Sequence, residues 1–319
     1  MPPFFDRAAL VAHARGSIAR GSRSFALAST LFDRRTRERV WLLYAWCRAC
    51  DDMADGQDHG GTMRLERGDG DAQARLSGIC RMTDMALRGE ATGDPAFDGF
   101  GIVMRECAIP QRYAWHVVEG FALDARDWRP CSEADMLRYC YHVAGAVGCM
   151  MAVLMGVDPA DDATLDRACD LGIAFQLANI ARDIAEDDAA GRCYLPAQWL
   201  AELDIPPGVP LIRATRAQRA VLGRRLASMA AVYEESARHG TAALPPRAAW
   251  AVLAAAGIYG DIARTVDRRG ERAWDSRVAT PLWAKMGWVV RAGGQVVGRA
   301  RRWPAGSPRP ASLWKRPAA

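Results

Sequence analysis

Apolar residues recur along most of the chain at three- and four-residue spacing, the period of a helix with one buried face. The pattern predicts helices over 7–20, 34–55, 72–88, 97–107, 111–125, 132–155, 162–186, 215–239 and 245–268. Strand-like alternation and hairpin turn signals are missing, and no 30–50-residue repeat points to a solenoid. The expected fold is therefore all-α, a bundle formed by residues 1–298. Breaks fall at the Gly- and Asp-rich "GQDHGGTMRLERGDGDAQ", at "GEATGDP", and in a proline-punctuated connection over 188–212. From Arg299 the chain becomes basic and proline-rich, a composition that predicts a disordered tail over 299–319. The most apolar run, Val143 to Val157, is shorter than the ~20 residues that span a bilayer and is expected to be a core helix.

Charge changes this picture little. The net charge of +5 is mild, and positive residues alternate with acids, as on a solvated helix surface, so no nucleic-acid partner is expected. The N-terminus has no positive segment followed by an apolar run, and nine cysteines without a regular framework fit reduced thiols, so a cytoplasmic location is expected.

The polar positions inside the apolar pattern carry the chemistry. In the helix containing "YAWCRACDDMAD", Tyr44, Arg48, Asp51 and Asp55 are spaced by four, three and four, and share one face. Asp52 lies about 100° round the axis and could contribute from the side. Carboxylates one turn apart suit a hard cation such as Mg²⁺. Taken alone, the same stripe would also fit a solvated helix end. Cys47 and Cys50 have zinc-knuckle spacing, but no second Cys-x-x-Cys or His-x-x-x-His exists to complete four ligands, so they are expected to be small core residues. A second stripe, in "FQLANIARDIAEDDAAGRCYLP", decides the matter. Gln176, Asn179, Asp183 and Asp187 again share one face, on a helix whose other positions are apolar. Burying such a stripe unpaired costs several kcal/mol, which a metal or cationic partner removes. Two facing acidic stripes fit a diphosphate bridged by several Mg²⁺ ions. A di-iron carboxylate bundle would instead use Glu and Glu-x-x-His, and no histidine here stands in that motif.

These motifs resemble those of the head-to-head all-trans isoprenyl diphosphate synthases, the squalene and phytoene synthases, over about Gly16 to Lys285. "GSRSFALAST" resembles the family's substrate-flap signature. "YAWCRACDDMAD" and "FQLANIARDIAEDDAAGRCYLP" resemble its two aspartate-rich motifs, and "EGFALD" and "YCYHVAGAVG" its middle motifs. Among its branches the sequence looks most like the bacterial phytoene synthases. The resemblance implies an isoprenoid-synthase-type bundle around an apolar cavity. It also implies Mg²⁺-dependent condensation of two geranylgeranyl diphosphates through a cyclopropyl diphosphate to phytoene, the first committed step of carotenoid biosynthesis. Mn²⁺ is a possible substitute and no NADPH is expected; reduction by NADPH would give the squalene-type product. A squalene or dehydrosqualene synthase acting on farnesyl diphosphate, and a non-catalytic assembly factor of the same fold, are the alternatives.

The resemblance assigns metal ligation to Asp51, Asp55, Asn179, Asp183 and Asp187. Arg48, Arg182 and Arg277 become diphosphate-binding candidates, although Arg182, next to Asp183, is expected to point off the acidic face. Ser22, Arg23 and Ser24 would sit on a flap over the diphosphate. Tyr44, Tyr139, Tyr194 and Tyr259 could stabilise a carbocation, with Tyr139 and Tyr259 equally suited to be core tyrosines. Phe25, Val143, Gly145, Ala146, Gly148 and Leu154 are expected along the tunnel, unless the small residues mark close helix packing. The apolar product suggests peripheral membrane contact, placed by this reading in the Trp-rich C-terminal third and the tail. Other carotenoid-pathway enzymes are possible partners.

Overall fold

The computed structural model describes residues 6–56, 69–206, 208 and 210–317, and among them there is no strand. The helices are α1 (Arg7–Gly21), α2 (Arg23–Ser29), α3 (Arg34–Asp55), α4 (Asp69–Arg88), α5 (Pro95–Glu106), α6 (Arg112–Ala125), α7 (Glu133–Cys140), α8 (Ala146–Leu154), α9 (Asp162–Ala189), α10 (Ala197–Glu202), α11 (Arg216–Gly240), α12 (Pro246–Arg269) and α13 (Leu282–Arg302). Most of the Gly- and Asp-rich segment after Gly56 lies outside the described residues. The periodicity located most of these elements; it missed α2, the short α10 inside the proline-punctuated connection, and α13, the last interrupted by glycines at 287, 293, 294 and 298.

Local chemistry sets the helix ends. Asp33 caps α3 by accepting from the Thr36 amide at 3.0 Å, and Gly56 closes it with φ 64°. Asp161 caps α9 through the Thr164 amide, and Thr215 with Gln218 forms a capping box on α11. α9 is the central element, packed against α8, α11 and α12. Its apolar side, with Leu165, Ile173, Leu177 and Ile180, is buried. The helix fits this closely because a Cβ on Gly172 would run into the Ala144 carbonyl and one on Gly148 into that of Ala168. Gly145 likewise abuts Cys169. These small residues therefore bring α8 and α9 together. Gly145, Ala146 and Leu154 pack in the core and do not line the cavity described below, whereas Phe25, Val143 and Gly148 do.

α7 and α8 are joined by a π turn, Tyr141–Gly145, into one run, Glu133–Leu154, that is apolar and long enough to cross a membrane. Most of it is buried inside the protein, and Tyr141, Cys149 and Met150 are inaccessible, so it serves as a core helix.

The C-terminal segment is ordered against the bundle, contrary to its composition. Trp303 and Leu313 are buried. Arg309 donates to Asp170 at 2.6 and 2.9 Å, and Arg316 Nε donates to Asp166 at 2.6 Å. The Trp314 amide donates to the Tyr233 hydroxyl at 3.0 Å. The basic residues that suggested disorder have found specific acids on α9, and the two tryptophans pay part of the ordering entropy by burial.

Candidate active site

The two acidic stripes face a common cavity with two lobes. The polar lobe, about 870 Å³, is lined by Asp51 and Asp55 from α3 and by Asn179, Asp183 and Asp187 from α9. The second lobe, about 730 Å³, is walled by apolar residues such as Phe32, Leu43, Val147, Met151 and Leu244. Tyr44 and Arg48 line it at the α3 end. Asp51, Val143, Gln176, Asn179 and Arg182 border both lobes, so the lobes meet where the acidic stripes converge. Cys50 is buried and Cys47 half-buried, with both thiols pushed up by burial; all cysteines in the described residues are free.

The electrostatics of the cluster are those of carboxylates short of countercharge. Asp51 opens onto the cavity but is otherwise enclosed by protein, and this burial pushes its pKa up to about 7, with Arg48 opposing and Asp55 adding. Burial and the neighbouring Asp183 push Asp187 up to about 7. Arginines supply what neutralisation there is. Arg48 pairs with Asp52 at 2.5 Å. Arg192 pairs with Asp55 across the mouth at 2.5 Å. Arg277 reaches Asp183 at 3.4 Å and also pairs with Glu186. Arg182, expected to point off the acidic face, curls back onto Asp183, with Nε at 2.7 Å, and borders both lobes. Its long stem lets the guanidinium reach a face its Cβ does not share. Asp188 instead accepts from the Leu211 amide and fixes the following connection.

The donor set is oxygen throughout, from four aspartates and an asparagine amide, which suits a hard divalent cation. No three acid, thiol or imidazole groups among the described residues converge as a ready-made metal cage. The acids come as pairs on two helices, an arrangement that leaves coordination positions for water and phosphate oxygens. The all-oxygen donor set fits Mg²⁺.

A third contribution comes from α6. Asp124 receives the Tyr139 hydroxyl at 3.1 Å and the Tyr194 hydroxyl at 3.1 Å, and the two rings stack at 4.7 Å. Burial pushes Asp124 up to about 6, against the pull of Arg192 and the two hydroxyls. Asp124 and Arg192 both line the polar lobe, yet neither was singled out from the sequence as a site residue. Their signals, the ends of "EGFALD" and the start of "RCYLP", lay inside quoted motifs but outside any helical acid stripe.

Over the apolar lobe, Ser22 caps α2 by accepting from the Phe25 amide at 3.2 Å, and Phe25 stacks on Tyr44 at 5.7 Å. Burial pushes Tyr44 up to about 12. Tyr259 stacks on Phe175 at 4.3 Å and its hydroxyl bonds with Ser22. Ser22, Phe25, Tyr44, Tyr259 and Arg277 all border this lobe. Ser24 is half-buried and does not, and the side chain of Arg23 lies outside what is described.

The squalene/phytoene synthase family model matches residues 18–284. The chain belongs to the squalene/phytoene synthase family. Among curated members, the phytoene synthase of Pseudescherichia vulneris is 44% identical over 99% of both chains. The 15-cis-phytoene synthase of Pantoea ananas is 46% identical over 97% of this chain and 98% of its own. A ligand-bound crystal structure of a dehydrosqualene synthase superposes with TM-score 0.80 at 25% identity, covering 92% of this chain and 98% of that one. The family is one of prenyl-transferring enzymes, and the solved relatives have its all-α isoprenoid-synthase-type fold.

Proposed function

We propose that this chain is a phytoene synthase that joins two molecules of geranylgeranyl diphosphate head to head through a cyclopropyl diphosphate. The supporting observation is the meeting of two acidic stripes at the junction of a polar lobe and an apolar lobe, in a chain 44–46% identical to phytoene synthases. Asp51, Asp55, Asn179, Asp183 and Asp187 would hold Mg²⁺, or Mn²⁺ in its place. When bound, the metal supplies Lewis-acid charge stabilisation for a departing diphosphate.

The reaction breaks the allylic C–O bond of one substrate to give a cation and free diphosphate. The double bond of the second attacks that cation, and loss of a proton closes the cyclopropane. A second ionisation, rearrangement and proton loss give phytoene with no net reduction, so NADPH has no part in it. Arg48, Arg182, Arg192 and Arg277 are placed to exchange carboxylate partners for phosphate oxygens, favoured by charge-assisted hydrogen bonds. Tyr44 and Tyr259 offer π faces to an allylic cation, as does Tyr194 beside the polar lobe, whereas the Tyr139 ring stacks against both Trp128 and Tyr194. The apolar wall keeps water from capturing the cation as an alcohol. Ser22 and Phe25 cover this region from the α1–α2 corner. The setting is cytoplasmic, with the hydrocarbon product leaving toward a membrane touched peripherally, where later carotenoid-pathway enzymes could take it.

Purified protein given geranylgeranyl diphosphate and Mg²⁺ without NADPH should form phytoene. Only hydrolysed alcohol, or no turnover, would overturn the reading. Competition with farnesyl diphosphate tests the C15 alternative: preference for the shorter substrate would assign a dehydrosqualene-type reaction.

A further inference from the structure

α13 packs into the protein with one face only. Ala292 is fully buried, Trp250 donates to the Val289 carbonyl at 2.8 Å, and Trp288 lies over Gly257 of α12. Another face is bare. Leu282 is 70% exposed, Trp283 78%, Met286 46%, Val290 72% and Val297 90%. At about 100° per residue, Leu282, Met286, Val290 and Val297 fall within an arc of about 80°, with Trp283 at its edge. Elsewhere in the described residues, large exposed apolar side chains are scattered: Trp115 on α6, and Val221 and Val232 on α11. Single exposed apolar residues are ordinary, whereas a continuous stripe marks an interaction surface.

The charge on this helix selects the partner. α13 contains Lys285, Arg291, Arg299, Arg301 and Arg302 and no acidic residue, and Arg291, Arg301 and Arg302 are exposed. An apolar stripe with a tryptophan, accompanied by positive charge alone, complements an anionic lipid surface. A second copy docked on the same face would bring like charges together. The location also suits the chemistry. α13 packs on α12, and Ala251, Val252, Ala255 and Tyr259 of α12 line the apolar lobe. We propose that α13 seats the protein on an anionic bilayer, with Leu282, Trp283, Met286, Val290 and Val297 entering the headgroup boundary. The C-terminal tail, with Trp303 buried and Arg309 and Arg316 engaged by α9, is not the anchor. The inference deepens the membrane contact that accompanies the phytoene-forming reading.

The test uses the full chain and vesicles of phosphatidylcholine with or without phosphatidylglycerol. The wild type should co-sediment with the anionic vesicles and release as salt rises. Trp283→Glu/Val290→Glu should lower that partitioning about tenfold or more. Val232→Glu, on α11, should leave it unchanged. Geranylgeranyl diphosphate turnover in detergent micelles, measured in parallel, should be unaltered by all three substitutions, which separates loss of docking from loss of fold and from failure of the phytoene-forming reading. The proposal is overturned if the wild type ignores anionic vesicles or if the double variant binds them as well as the wild type. It is equally overturned if the double variant only converts a self-associated protein to monomer with vesicle binding intact.

Discussion

Replacing Arg309 by alanine would strand a carboxylate that water cannot reach. Asp170 is wholly inaccessible, and Arg309, itself only 15% exposed, supplies both of its charge-assisted hydrogen bonds, at 2.6 and 2.9 Å. Ser236 donates a further bond, and the Arg167 guanidinium, held by the Ser236 hydroxyl at 2.7 Å, adds a weaker attraction. Removing one member of a buried pair generally costs 3–5 kcal/mol because the other charge remains desolvated. With Ser236 and Arg167 left in place, about 3 kcal/mol is expected. For a chain of this size a urea slope of about 3 kcal/mol/M turns that into a midpoint lowered by about 1 M. Arg309→Ala/Asp170→Asn removes the orphan charge and should recover most of the loss. The pH dependence has a definite sign. Burial already raises Asp170 above its ordinary value, and losing Arg309 raises it further, so the folded state of the variant binds a proton that the unfolded state releases. Its stability therefore falls as pH rises through the raised folded value, and the deficit against the wild type shrinks in acid. A single variant with an unshifted midpoint, or a double variant no more stable than the single one, would refute the reasoning.

Three further outcomes are expected. Asp51→Asn and Asp183→Asn should each reduce turnover by about a thousandfold, the scale of losing several kcal/mol of metal-assisted charge stabilisation, with an unchanged circular dichroism spectrum; activity within tenfold of wild type would remove these residues from the site. Because Asp51 and Asp187 titrate at about 7, protons and Mg²⁺ should compete: half-saturation should need more Mg²⁺ as pH falls below about 7 and level off above it, and a flat profile between pH 6 and 8 in titration calorimetry would contradict this. Gly172→Ala should destabilise by about 1–3 kcal/mol, since the new Cβ meets the backbone carbonyl of Ala144, which cannot move aside as a side chain could; an unchanged denaturation midpoint would show that the two helices can part freely.

What could be read from the sequence followed helical periodicity. The stripes Tyr44–Arg48–Asp51–Asp55 and Gln176–Asn179–Asp183–Asp187 were legible because each lies on one helix, where spacing alone fixes a shared face. Asp124 was not, because its partners Tyr139 and Tyr194 come from other elements and meet it only in the folded chain. Arg192 sits past the end of α9, where no period applies, and its link to Asp55 spans 137 residues of sequence. The direction of Arg182 was misjudged because Cβ geometry does not limit a side chain so long. The C-terminal segment misled for a similar reason. Its composition argues for solvation, but its order comes from acids on α9 some 140–150 residues earlier. α13 escaped notice because its exposed apolar stripe and its glycines blur the one-sided pattern that marks a core helix.

The π turn at Tyr141–Gly145 makes chain length, rather than side-chain identity, the critical variable at that place. Tyr139, Val143, Val147, Met151 and Met155 stand at every fourth position, and all five border the cavity. On an uninterrupted α-helix such a series drifts by about 40° at each step and would soon leave the cavity wall. A π turn spreads its rotation over more residues and takes back part of that drift, like a vernier set into the helix. Loss of one residue from this turn would leave composition and hydropathy almost untouched. It would nevertheless swing Val147, Met151 and Met155 out of phase with Tyr139, and the apolar lobe would lose its wall while the polar lobe kept its tyrosine.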